Sequence, residues 1–580
     1  MEKVVSYFKL LFQTYKMFFK ATLTIALVVV FLTPLEALAP VLGVRSGQQL
    51  IDNLSLQKPY LYFFIIWTLA TLLSQILPVV GTNFQGMLTD KLTGFIKLSL
   101  MRCSQQLRSL ELFDDSDFFD ELEILNDGAS WRPVNLIVFG VAILREVVTL
   151  VGMLWLLGKY NFWLALLLLL ALVPQTLVAY RIQQEAFETM VTRSKQARKL
   201  NYLSSLLLER ADAKEVRLFD MFSPVIKRYQ KLFQLAQKNV DRIRRKQMLL
   251  ALIFLSITVA VSAGGFLWFI VQVKQHTLGV GSLLLYISVI AYLVEGMARL
   301  VEDSSLLYDS LLWVEKYQHF LAFKEKQVSG TLDFSGDFER IRFENVSFTY
   351  PFSTTEVLSD LNFEIKAGEK IAIVGENGSG KSTLVKLLLR FYDPTKGHIL
   401  LDGTDLCEYR CESYRQKLSA AFQDFSRFKL SVKDNVSALA QTSDKKVQTC
   451  LEQVGFAELN DKLQQNLSKE FDHGIELSGG QWQKIALARC LHKKSVMYFL
   501  DEPTSALDAR SEQEMYHTFL TKDQLQTVLF VTHRMSSVTL ADRVLFLQAG
   551  KISGLASHEQ LLQDNKDYRE LYELQKNAYC

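Results

Sequence analysis

Apolar residues are distributed along this chain in two different ways. Over the first three hundred positions they form long blocks, and six of these reach the ~20 residues a helix needs to cross the hydrocarbon core of a bilayer. They fall at about 18–44, 59–82, 134–157, 161–180, 247–273 and 279–301. Ahead of them, residues 2–17 (EKVVSYFKLLFQTYKM) mix lysine with Tyr, Phe, Leu and Val at helical spacing, which suits a helix lying in a membrane interface. No small-residue cleavage site follows the first block, so it reads as a span and not as a signal peptide. Further on the apolar runs shorten to strand length, as in FERIRFENVSFTY and VLSDLNFEIKAGEK. The patterning therefore predicts a polytopic α-helical membrane domain over 1–320, a linker over 321–335, and an α/β domain over 336–580.

Charge gives the membrane domain a sidedness. Six spans put both ends on one side, and Lys and Arg stay with the cytoplasmic face. The connection between spans four and five carries 16 Lys and Arg between 181 and 246, against Arg45, Lys58, Lys159 and Lys274 in the opposite turns. Both termini and the second domain are thus expected in the cytoplasm. Net charge over all 580 residues is only +3, and no basic stripe with interleaved aromatics lies outside the inner loops, so a nucleic-acid partner has no support. Membrane lipid is the expected surrounding, since 49% of residues are hydrophobic. Six cysteines (103, 407, 411, 450, 490, 580) show no paired spacing and read as reduced thiols; the lone Cys407/Cys411 pair lacks the second half of a zinc site.

The inner connections, 83–133 and 181–246, have helix-forming composition, so spans two to five are expected to continue into the cytosol. Each holds a segment suited to docking on the second domain: Leu110–Leu122 (LELFDDSDFFDEL) and Lys214–Phe222 (KEVRLFDMF). The Asp cluster of the first could be a plain solvated face, but the interleaved Phe113, Phe118 and Phe119 favour a contact. Ionisable residues also fall inside spans: Glu36, Arg145, Glu146, Glu295 and Arg299. Charge at that depth is costly and commonly faces a cavity or a partner. Glu36 or Glu146 is a candidate lining of a substrate path, with a structural interhelical pair as the alternative.

The strongest chemical signal runs from Gly375 to Thr383, GENGSGKST, and fits the phosphate-binding loop G-x-x-x-x-G-K-[ST]. Glycines let successive backbone N–H groups turn inward around a polyphosphate, and the following helix points its positive end at the anion. Gly375, Asn377, Gly378, Ser379, Gly380, Lys381, Ser382 and Thr383 are the expected ATP contacts, with Lys381 on the outer phosphates and Ser382 on Mg²⁺. The strand IAIVG precedes the loop and the helix VKLLLRFY follows it, the context such a loop requires. Downstream, VMYFLDE ends an apolar strand in two carboxylates, of which Asp501 would hold Mg²⁺ and Glu502 would polarise the attacking water.

Between these motifs lies LSGGQ, Leu477, Ser478, Gly479, Gly480 and Gln481, and with it the chain resembles the ATP-binding cassette family over nearly its whole length. The arrangement is similar to a half-size exporter of the type IV fold, six spans fused to one P-loop cassette. The resemblance implies further roles. Tyr350 would stack on adenine, Gln423 would sense Mg²⁺, Ser505, Ala506, Leu507 and Asp508 would cross to a partner subunit, and His533 would be the switch histidine. It also implies that the LSGGQ stretch acts in trans on the partner's nucleotide. Because Glu502, His533 and LSGGQ are all intact, a homodimer with two competent sites is expected, working by alternating access. The wording LSGGQWQKIALARCL, with Trp482, and the preceding EFDHGIE resemble bacterial exporters of lanthipeptides, which implies a modified peptide cargo and a bacterial plasma membrane. With the membrane domain at residue 18 onward and no cysteine peptidase ahead of it, the sequence is not expected to cleave a leader peptide itself. A multidrug or lipid exporter, an importer of the same fold, or an ATP-gated channel or regulatory subunit stay open as alternatives.

Overall fold

The computed structural model describes residues 2–187, 195–209, 212–323, 329–503, 509–521 and 526–578. The chain divides into two compact units, Met1–Ser104 with Glu121–Phe323, and Gln105–Asp120 with Lys324–Cys580. Of the expected linker 321–335, residues 324–328 lie outside the described residues.

Among the described residues the first unit holds helices and the turns between them, with no strand. Its elements are α1 (Glu2–Ala21), α2 (Leu23–Ser55), α3 (Leu61–Gln106), α4 (Ser116–Gly128), α5 (Arg132–Gly158), α6 (Phe162–Phe187), α7 (Lys195–Leu208), α8 (Ala213–Leu218), α9 (Phe222–Lys274) and α10 (Gly281–Ala322). Five of them, α2, α3, α5, α10 and the Met248–Lys274 part of α9, are long and apolar enough to cross a membrane. The expected fourth span falls on α6, whose apolar part is the shorter Phe162–Val178. The second and fifth spans run on unbroken, as the helix-forming inner connections predict: α3 is 46 residues long and α9 is 53. Helix α5 packs against α2 and α10, and α6 against α9. A core of Met153, Leu156, Leu157, Phe269, Leu285 and Tyr286 sits between them. Two polar contacts join the helices beside this core, where a membrane interior offers no water to replace them. Asp52 of α2 accepts the orphan Gly281 N–H at the start of α10 at 2.7 Å, and Tyr286 donates to the Ser262 carbonyl at 2.8 Å.

The second unit is built on two sheets. Strands β1 (Arg340–Thr349), β2 (Glu356–Lys366), β3 (Lys370–Gly375), β4 (Lys396–Leu401), β5 (Thr404–Asp405), β6 (Leu418–Ala421), β7 (Met497–Asp501), β8 (Thr527–Val531), β9 (Arg543–Gln548) and β10 (Lys551–Ala556) follow in chain order. An antiparallel sheet runs β2-β1-β4-β5; the other, β10-β9-β3-β8-β7-β6, is parallel from β9 to β6. Strands β3, β7 and β8 are buried along their whole length, because both faces of a central parallel strand are covered. Helices α11 (Lys381–Leu388), α12 (Cys411–Gln416), α13 (Val432–Ser437), α14 (Asp444–Gln453) and α15 (Gly479–His492) lie between these strands in the chain, with α13 and α14 packed on α15. Trp482 is buried in the core that α14 and α15 share.

Gln105–Asp120 belongs to this second unit, so the first expected docking segment is seated. Leu110 N–H and the Ser109 hydroxyl both donate to the Phe391 carbonyl at 3.1 Å. Tyr392 donates to Asp114 at 2.6 Å, and Arg108 pairs with Glu412 of α12 at 2.5 Å. The second expected segment, Lys214–Phe222, lies in the first unit with Leu218 and Phe219 exposed.

Candidate nucleotide site

In a parallel sheet the reactive groups collect where the strands end, because connections there are free to vary. Strand β3 ends at Gly375, where a Cβ would lie 2.2 Å from the Leu547 carbonyl oxygen, so no side chain fits. The backbone then passes through Gly380 at φ +99, a left-handed conformation cheap only for glycine, where a Cβ would also come within 2.5 Å of Leu358. Helix α11 begins at once. Its first residue, Lys381, folds back so that Nζ donates to the carbonyls of Gly375 and Glu376 at 2.9 and 2.8 Å. Burial lowers the Lys381 pKa, against the opposing pull of Glu502 and Asp501. Asn377 and Gly378 are exposed at the loop's tip, while Ser379 and Thr383 are buried. Ser379 Oγ is buried without a hydrogen-bond partner among the described residues.

Three neighbouring strands deliver the other groups. Strand β6 ends two residues before Gln423, β7 ends at Asp501, and β8 ends two residues before His533. Gln423 Nε2 donates to Glu502 Oε2 at 2.6 Å, and His533 Nε2 lies 2.7 Å from Glu502 Oε1. Glu502 itself sits at φ +48, a region costly for a residue with a Cβ, and is held there by its N–H donating to the Val531 carbonyl at 3.1 Å. Asp501 accepts a hydrogen bond from Ser382, yet its Oδ1 is buried with no partner among the described residues. Burial raises the Asp501 pKa, with Glu502 adding to the rise. An orphaned buried carboxylate oxygen beside a hydroxyl, with a carboxamide near, is a hard oxygen donor set that fits Mg²⁺. Two more unpaired or inward-facing donors, Ser379 Oγ and Lys381 Nζ, sit where a polyphosphate would lie.

Tyr350 is half-buried beside the loop helix: its hydroxyl shares a hydrogen bond with Thr383 Oγ1 at 3.0 Å, and its ring meets Phe348 and Tyr392 edge-on. The LSGGQ stretch stands apart from this cluster. Ser478 caps α15 in a reciprocal box with Gln481, at 2.9 and 3.3 Å, which aims an exposed helix N-terminus outward. At Gly479 a Cβ would meet nothing within 4 Å. Leu477 packs on the neighbouring core. Residues 505–508 lie outside the described residues. Two further supports carry no motif of their own. Gln483 donates to the Glu502 carbonyl at 3.5 Å, and Arg534, next to His533, is anchored by buried Glu512. Nothing in the spacing of Glu512 flags it; only the side chain's burial against Arg534 does.

A phosphate loop, paired carboxylates at an adjacent strand end and a histidine 2.7 Å from one of them, joined to a bundle of membrane-length helices, define a membrane-bound P-loop ATPase. Residues 358–505 match the ABC transporter family. The chain is 30% identical over 441 residues, 75% of each chain, to the ATP-dependent lipid A-core flippase of Alcanivorax borkumensis. It is 28% identical over 576 residues to the subtilin transport ATP-binding protein of Bacillus subtilis, covering 97% of this chain and 93% of that one. The nisin transport ATP-binding protein of Lactococcus lactis matches at 28% over 97% of this chain and 95% of its own. In fold it is similar to a bacterial Atm1-family ABC exporter with ATP bound, with a TM-score of 0.77 at 22% identity over 95% of this chain and 98% of that one. This chain belongs to the ABC transporter family and is an exporter whose ATP hydrolysis is coupled to transport.

Proposed function

We propose that the chain exports a modified peptide from a bacterial cytoplasm, as a homodimer with two competent ATP sites. The observation that carries the cargo is alignment length. The subtilin and nisin transport proteins match 97% of the chain at 28% identity, membrane half included, whereas the lipid A-core flippases of Alcanivorax borkumensis and Haemophilus ducreyi match 75% and 56% of it at 30% and 32%. Lipid export is the second reading, supported by that same flippase similarity.

The cassette's residues act as follows. The loop amides around Gly378–Gly380 and the Lys381 ammonium bind and orient the outer phosphates. Ser382, Asp501 and Gln423 would hold Mg²⁺, which when bound neutralises developing phosphate charge. Glu502 accepts the proton of the attacking water, and its 2.7 Å contact with His533 fixes the carboxylate and steadies the transferring group. Tyr350 covers the adenine. The exposed N-terminus of α15 with Ser478, Gly479 and Gly480 completes the partner's site, and the side of Gly479 that its own chain leaves open to 4 Å is the side that would face that nucleotide. Residues 505–508 cross between the cassettes. Closure is passed to the membrane helices through the seated 105–120 segment and through Lys214–Phe222. The basic inner connections keep the cassettes and both termini in the cytoplasm.

The test is ATP-driven uptake into inside-out vesicles containing this chain alone, offered a lanthionine-bridged peptide, a fluorescent lipid and a lipophilic dye. Uptake of the peptide alone supports the reading. Uptake of lipid or dye without peptide overturns it.

A further inference from the structure

The first unit holds a chain of alternating charges at membrane depth that ATP hydrolysis does not use. Glu36 of α2 lies 3.6 Å from Arg145 of α5, and Arg145 lies 3.6 Å from Glu146. Glu146 lies 3.5 Å from Arg299 of α10, and Arg299 lies 2.5 Å from Glu295. By sequence alone Glu36 or Glu146 is a candidate lining of a path. The structure instead buries both, with side chains 2% and 10% exposed, and opens Arg299 and Glu295, at 52% and 61%. Burial of Glu36 and Glu146 makes them the rear wall, and the open face belongs to α10.

The arithmetic of this chain is uneven. Three carboxylates face two guanidiniums, and each guanidinium is already shared between two carboxylates. An anion would find no free cation here, while a cation would find one surplus negative charge. Asp303, one turn beyond Arg299 on α10, adds a further carboxylate. The rear wall is loosely held: Glu36 Oε2 is buried, and its ion pair with Arg145 at 3.6 Å is longer than a hydrogen bond. The carboxylate cannot retreat, because its Oε1 is pressed against Gly81 of α3, where a Cβ would lie 1.9 Å from it. The Thr149 hydroxyl donates to the Ala37 carbonyl at 3.2 Å, which locks α5 to α2 beside it.

Depth decides what the open face meets. Glu295 stands fourteen residues after Gly281, the first residue of α10. At about 1.5 Å per residue that is ~21 Å into a core ~30 Å thick. An exposed ion pair there is expensive against acyl chains and belongs on a water-filled cavity. Tyr292, also exposed, stands one turn before Glu295 on the same helix face and presents an aromatic ring beside the carboxylate, a pairing that favours ammonium and guanidinium groups.

We infer that Glu295, backed by the Arg299–Glu146–Arg145–Glu36 relay and flanked by Tyr292, binds a positively charged group of the cargo. The inference rests on the export reading and narrows its substrate class to cationic molecules. Full-length protein in lipid nanodiscs is titrated with a short apolar peptide bearing one lysine and with the same peptide bearing acetyl-lysine. A lipophilic ammonium and its uncharged amide form the second pair of probes. The charged member of a pair should bind about tenfold more tightly than its neutral twin. Glu295→Gln should bring that ratio close to one, and Glu295→Lys, which keeps the site charged and solvated, should invert it in favour of a glutamate-bearing peptide. Equal binding of both members in the wild type, or a preference that survives Glu295→Gln, overturns the inference. Charge preference for the ammonium pair with no peptide binding would leave the inference standing and remove the peptide reading.

Discussion

Glu502→Gln separates binding from chemistry. Both carboxylate oxygens of Glu502 are engaged, Oε2 by Gln423 Nε2 at 2.6 Å and Oε1 by His533 Nε2 at 2.7 Å. An amide of the same shape offers one acceptor oxygen and turns its NH₂ toward the other donor, so one contact is lost, at a cost of about 1–3 kcal/mol confined to this corner. The larger loss is the base itself, whose removal typically lowers turnover about 10²- to 10⁴-fold. ATP affinity depends on different atoms. Lys381 is held by the Gly375 and Glu376 carbonyls without help from Glu502, so the Kd for ATP should stay within about tenfold of wild type. The assay pairs steady-state phosphate release in lipid vesicles with equilibrium binding of a fluorescent ATP analogue. Retention of more than about a tenth of wild-type hydrolysis would refute the role given to Glu502.

Three other substitutions probe different parts of the site. Gly380→Ala combines φ +99 with a 2.5 Å approach to Leu358, so ATP binding should vanish and the cassette should lose about 1–3 kcal/mol of stability; an ATP-competent Gly380→Ala protein would contradict the loop geometry. Gly479→Ala meets nothing in its own chain, so the thermal midpoint should hold while hydrolysis falls; unchanged hydrolysis would remove the proposed action across the dimer. Asp501 has a raised pKa because it is buried, so in the ion-free protein its ionisation costs stability: the folded state is favoured below the ordinary aspartate pKa of about 3.9 and loses that advantage as pH rises through the higher folded value. Asp501→Asn should therefore raise the unfolding midpoint of Mg²⁺-free, nucleotide-free protein at neutral pH, by about 1 kcal/mol, while abolishing hydrolysis; a lowered midpoint would refute the burial cost.

The ATP site was largely legible in the sequence because its chemistry fixes residue types at fixed spacings. Only glycine reaches the backbone angle of Gly380, and only a strand end places Asp501 and Glu502 side by side beside Ser382. Membrane spans were legible by length, though the Phe162–Val178 stretch of α6 is the shortest of the apolar segments. Long-range partners were not legible. Glu36 and Glu146 carry the same intramembrane signal as Glu295, and which of them is open depends on helix rotation and on Gly81 pressing against Glu36, which no periodicity encodes. The Arg534–Glu512 anchor and the seating of Leu110 on Phe391 likewise join residues far apart in the chain.

The central claim is that one chain makes a complete, transport-coupled ATPase. The measurement that tests it most directly is ATP hydrolysis by this chain alone, purified and placed in lipid vesicles, with and without modified peptides and lipophilic drugs. The account predicts hydrolysis by the single gene product, raised by peptide and abolished by Glu502→Gln. Absence of hydrolysis from correctly folded, ATP-binding protein would contradict the homodimer and call for a second, different chain.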